Sequence, residues 1–63
     1  MNQNETWLTV PEVAKTLDIS GNKVRAIIEK GDLTAYKFGS QYKITQSDFD
    51  KYLRNAISDG KKN

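Results

Sequence analysis

The sequence predicts a mostly α-helical domain with one β-hairpin, its elements in the order α-α-β-β-α. Apolar residues recur at helical spacing ahead of Gly31 and again beyond Thr45, and they alternate between those two points. Residues able to cap a helix stand where the spacing changes.

The first helix starts at Thr9-Val10-Pro11-Glu12. Thr9 serves as the cap, Glu12 can reach back to close a capping box, and Pro11 is tolerated in a first turn. Val10, Val13, Ala14 and Leu17 then make one apolar stripe. Trp7 and Leu8, just ahead of the cap, are placed to staple that end to the core. Asp18-Ile19-Ser20 interrupts the pattern, and Ser20 caps a second helix whose buried stripe is Val24, Ile27 and Ile28. Gly31 closes it in the left-handed conformation, with Lys30 at the negative end of its dipole. Two short helices joined so tightly are the mark of a helix-turn-helix unit, although a tight helical hairpin also occurs in other small helical domains.

Tyr36, Phe38, Tyr42 and Ile44 then alternate with Lys37 and Lys43 around Gly39-Ser40-Gln41, the pattern of a β-hairpin. A two-residue Gly39-Ser40 loop would pair Phe38 with Gln41 and set Tyr36 and Tyr42 on opposite faces. A three-residue tip pairs Phe38 with Tyr42, gathers the apolar residues on one face and both lysines on the other, and is the preferred reading. In it Tyr36, Phe38 and Tyr42 belong to the core, which a chain this small needs. Thr45 caps a third helix with Asp48 as a weaker partner. Its stripe is Phe49, Tyr52, Leu53 and Ala56, extended by Ile57. The expected division is a flexible leader at 1–6, one domain at 7–57 and a flexible tail at 58–63.

Sixty-three residues hold one domain with a modest core and leave little room for a deep cleft. The chain has neither histidine nor cysteine. The commonest general base, the commonest metal ligand, thiolate sites and disulfides are therefore all missing. The acidic residues are scattered and there is no glycine-rich phosphate loop, so neither an enzyme nor a cofactor is expected. Without an apolar run of membrane length, and with a polar start unlike a signal peptide, the simplest expectation is a protein of the reducing cytosol. Charge is unevenly placed. Residues 1–19 set Lys15 against Glu5, Glu12 and Asp18, a balance of −2, whereas residues 20–43 set Lys23, Arg25, Lys30, Lys37 and Lys43 against Glu29 and Asp32, a balance of +3. A basic middle suits a polyanion, and charge alone leaves ordinary solvated surface equally open.

At about 100° per residue, a second helix with Val24, Ile27 and Ile28 inward turns Asn22, Ala26 and Glu29 outward and flanks them with Lys23 and Arg25. Asn22 suits a base edge. Lys23 and Arg25 suit phosphates or a guanine, and small Ala26 allows close approach to a thymine methyl. The helix start at Ser20 favours a phosphate. Lys37 and Lys43, with Ser40 and Gln41 at the tip, suit a ribbon along a phosphate backbone or minor groove. The same residues also describe a solvated helix face and lysines that protect edge strands.

Residues 7–53 resemble the excisionase-like winged helix-turn-helix family, related to the DNA-binding domain of MerR-type regulators. The likeness runs through Leu8-Thr9-Val10-Pro11-Glu12-Val13-Ala14, Leu17, Ile19-Ser20, Val24 and Ile28-Glu29-Lys30-Gly31-Asp32-Leu33. It continues with Tyr36-Lys37-Phe38-Gly39, Tyr42-Lys43-Ile44, Asp48, Phe49 and Leu53. The resemblance implies double-stranded DNA as partner, with the second helix in the major groove and the hairpin as a wing. It makes Ser20, Asn22, Lys23, Arg25 and Ala26 the groove set and Lys37, Ser40, Gln41 and Lys43 the wing set. It further implies a role in excision or transcription in a bacterial or phage-bearing cell, beside an integrase or recombinase or further DNA-bound copies. The alternative is a protein-interaction module that keeps the winged fold without DNA binding and docks through the aromatic hairpin and Trp7. The chain departs from the family pattern at Gly21, Ala26 and Gln41, where arginine is frequent, and at Thr45, where proline is common. Each arginine–phosphate pairing that is missing for this reason lowers the salt slope of binding by about 0.9.

Overall fold

The computed structural model describes residues 5–60. Thr9 precedes α1 (Val10–Leu17) in extended backbone. Its Oγ1 accepts the Glu12 N–H at 3.3 Å while the Glu12 carboxylate accepts the Thr9 N–H at 2.8 Å. This is the expected capping box, with Pro11 in the first turn. The chain leaves α1 through Asp18, left-handed at φ 60° and ψ 45°. From there the Asp18 and Ile19 N–H groups donate back to the Lys15 and Ala14 carbonyls at 3.2 and 3.0 Å. Carbonyls that the helix end would otherwise leave open are thereby satisfied. Ser20 caps α2 (Gly21–Lys30) by accepting the Lys23 N–H at 3.1 Å, and Gly31 ends it at φ 95°. Both caps fall where the sequence places them.

The hairpin differs from expectation. β2 (Tyr36–Phe38) and β3 (Gln41–Thr45) pair Tyr36 with Lys43, Lys37 with Tyr42 and Phe38 with Gln41, leaving only Gly39-Ser40 as the loop. Gly39 has φ 64°, the positive value that a two-residue turn with glycine first requires. The preferred three-residue tip is therefore incorrect. Because side chains alternate along a strand, the shift redistributes every one of them. Tyr36 and Phe38 share a face with Lys43 and Gln41, while Lys37 shares the other with Tyr42 and Ile44. The two lysines do not lie together. Nor are Tyr36 and Phe38 core residues, since they are 46% and 56% exposed.

A third strand accounts for this. β1 (Trp7–Thr9) pairs antiparallel with β3, matching Trp7 to Thr45, Leu8 to Ile44 and Thr9 to Lys43, in a sheet of order β1-β3-β2. The element order is thus β-α-α-β-β-α rather than α-α-β-β-α. The expected staple holds for Leu8, which packs on the core. Trp7 turns to the opposite face, where it meets Tyr36 and Phe38 edge-on.

Thr45 caps α3 (Gln46–Gly60), its Oγ1 accepting the Asp48 N–H at 3.1 Å and donating to the Asp48 carboxylate at 2.9 Å. The N-terminal segment is tied to the same helix end. The Thr6 carbonyl accepts the Gln46 N–H at 2.8 Å, and the Glu5 carboxylate accepts from the Ser47 hydroxyl at 3.4 Å. A carboxylate there complements the helix dipole.

Val10, Val13, Ala14, Val24, Leu33, Ile44 and Phe49 form the buried core, with Leu17, Ile19, Ile27, Ile28, Tyr52 and Leu53 partly buried around it. Leu33, which belongs to no periodic stripe, is among the most deeply buried. Ala56 and Ile57 are exposed, contrary to the expected α3 stripe. The helix continues past the end of the core, which leaves Ala56 and Ile57 in water. Of the leader and tail expected at 1–6 and 58–63, residues 1–4 and 61–63 lie outside the described residues.

Candidate nucleic-acid interface

With Val24 fully buried and Ile27 and Ile28 half-buried, α2 can expose only the rest of its circumference. Asn22, Lys23, Arg25, Ala26 and Glu29 are all on that exposed part. Lys23 and Arg25 are about 200° apart around the axis, so they flank the ridge of Asn22, Ala26 and Glu29 on its two sides. The Ser20 hydroxyl oxygen already accepts from Lys23 N–H, which leaves its own proton free to donate outward.

Two shallow hollows lie beside this ridge. Ser20, Gly21, Asn22 and Arg25 border the first against Val10, Pro11 and Ala14 of α1. Arg25 also borders the second, together with Thr9, Val10, Pro11 and the β3 residues Gln41 and Tyr42. Arg25 borders both, as do Val10 and Pro11, and it is the charged side chain among the three. It connects the start of α2 to the hairpin, an adjacency that no sequence pattern contains.

The hairpin contributes from the same side through Lys37, whose Nζ stands 5.5 Å from the centre of the Tyr42 ring. A cation over an aromatic face is held there by the ring quadrupole. Ser40 and Gln41 are exposed at the tip. Lys43 borders neither hollow; by register it lies on the outer face of the sheet with Tyr36 and Thr9, a face that Gln41 shares while still bordering the second hollow from the tip. Of the nine candidate residues, the fold therefore gathers Ser20, Asn22, Arg25 and Gln41 around the two hollows. It places Lys37 above Tyr42 and sends Lys43 elsewhere.

Tyr42, expected in the core, does pack half-buried against it, and it also borders the second hollow, where the two-residue loop sets it opposite Lys37 and away from Tyr36.

Lys30 pairs with Asp32 at 3.6 Å in the last turn of α2. Lys23, Arg25 and Lys37 have no carboxylate within ion-pair distance among the described residues. These three cations are therefore available to an external anion. Among the described residues no group of three or more His, Cys, Asp or Glu could hold a metal, and no helix is long and apolar enough to cross a membrane.

A family model described as a helix-turn-helix domain matches residues 7–56. No curated protein and no solved structure matches the chain.

Proposed function

Since the chain belongs to the helix-turn-helix domain family, we propose that it is a sequence-specific double-stranded-DNA-binding protein of the excisionase type, an architectural factor in excision or a small transcriptional regulator. The observation that carries this reading is the position of Arg25, which borders both the hollow at the start of α2 and the hollow leading to the hairpin. A duplex laid along that line meets helix and wing together.

In this reading α2 enters the major groove, whose width of about 12 Å admits a helix. Asn22 reads a base edge with its amide donor and acceptor, and Ala26 lies against a thymine methyl. Arg25 contacts a guanine or the phosphate between groove and wing, and Lys23 holds the phosphate on the other flank. Ser20 and the positive end of α2 bind a further phosphate. Lys37, Ser40 and Gln41 rest on the neighbouring backbone or minor groove. Lys43, which borders neither hollow, stands apart from this set. Specific binding exceeds nonspecific binding by about 4–10 kcal/mol, more than one short helix supplies. Further DNA-bound copies or a recombinase therefore provide the remainder, at repeated or paired half-sites.

The test is selection of bound duplexes from a random pool, followed by footprinting of the winner as protein is added. An enriched motif, with protection that extends to a second half-site as concentration rises, is the expected result. A pool that stays random through successive rounds overturns the reading. So does affinity that survives charge reversal at both Lys23 and Arg25.

A further inference from the structure

We propose that the outer face of the sheet docks an acidic, aliphatic segment of a partner protein, at the same time as the opposite face serves the α2 side. The register sets Trp7, Thr9, Tyr36, Phe38, Gln41 and Lys43 on this outer face and Leu8 and Ile44 on the core face. Trp7 meets Tyr36 at 5.6 Å and Phe38 at 5.9 Å between ring centres, with the rings inclined at 69° and 80°. These contacts hold three large side chains in one place while leaving each about half in water. In a chain with so little core, a clustered aromatic surface is a contact surface that has not been covered.

The charge pattern identifies the kind of partner. Lys43 stands in the central strand between Thr9 and Tyr36, half-buried, with no carboxylate in ion-pair reach among the described residues. The carboxylates of the adjoining segments are already engaged, Glu5 with Ser47 and Glu12 with Thr9. A half-buried lysine paired across the strands with Tyr36, on the face that carries Trp7 and Phe38, is completed by an incoming carboxylate, and the rings by aliphatic neighbours of that carboxylate. Single-stranded nucleic acid would need a track of cations and open ring faces on which bases can stack. This face offers one lysine, and its rings meet edge-on. A peptide segment fits better.

The experiment screens a phage-displayed library of random dodecapeptides against the full chain, counter-screened on K43E. Enriched peptides should carry Asp or Glu beside Leu, Ile or Val. A synthetic consensus peptide should shift the emission of Trp7, the chain's only tryptophan. Its affinity should fall about tenfold or more in K43E and in F38S and stay within about twofold in K43R. Circular dichroism checks that each variant keeps its fold. The shift should persist with duplex already bound.

Three results overturn the proposal: no enrichment beyond the K43E control, enriched peptides without a carboxylate, or Trp7 quenching by oligothymidylate with none by peptide. Because the peptide readout needs no duplex, its failure is distinguishable from failure of DNA binding.

Discussion

Replacing Arg25 by alanine removes the charged side chain that borders both hollows, and the fold makes the size of the effect calculable. Arg25 is exposed and has no carboxylate in ion-pair reach among the described residues, so its removal should change stability by no more than about 0.5 kcal/mol. Binding is different. A hydrogen bond from a guanidinium to a phosphate or base edge contributes about 1.5–3 kcal/mol, so its removal weakens affinity about 10- to 150-fold. The assay is fluorescence anisotropy on the selected duplex across a range of salt. If Arg25 holds a phosphate, the slope of log K against log salt falls by about 0.9. If it reads a guanine, the slope is kept and discrimination at one base pair drops by about 1–3 kcal/mol. Lys30→Ala is the internal control, because Lys30 lies in the last turn of α2 and is paired with Asp32. An R25A variant within about twofold of the parent, or a K30A variant that weakens as much, would refute the placement of the duplex along Arg25.

Four further substitutions test the fold that holds this surface. Ser20→Ala leaves the Lys23 N–H without its acceptor and should cost about 1 kcal/mol in urea unfolding. Gly31→Ala places a Cβ in open space but at φ 95°, so a loss of about 1–2 kcal/mol would be purely conformational, and an unchanged midpoint would contradict the left-handed cap. Leu33→Ala should remove about 2–5 kcal/mol, a large part of the stability of so small a domain, whereas Ile57→Ala at an exposed site should stay within about 0.5 kcal/mol. Equal losses for the last pair would show that the end of α3 is packed in solution.

What the sequence by itself determined is local. The capping box at Thr9 and Glu12, the Ser20 cap, the left-handed Gly31 and the Thr45 cap each depend on residues within a few positions of one another, and each forms as expected. The exposed ridge of α2 follows from the same short-range periodicity. The missed features are non-local. β1 is only three residues long, too short to show alternation, and it exists because Leu8 pairs with Ile44 far along the chain. Leu33 has no periodic neighbours and is buried only because the surrounding elements close over it.

The hairpin register was decided in the same way. Counting apolar residues favours a tip that collects them all on one face, but the core face is filled by Leu8, Ile44 and Leu33, and Trp7 offers Tyr36 and Phe38 a cover on the other. Since one residue of slip inverts β2 against β3, that tertiary choice alone separates Lys37 from Lys43 and sets Lys37 beside Tyr42. Chain-local chemistry fixes where a helix begins and ends. Which face of a strand meets water depends on what the rest of the molecule has left to bury.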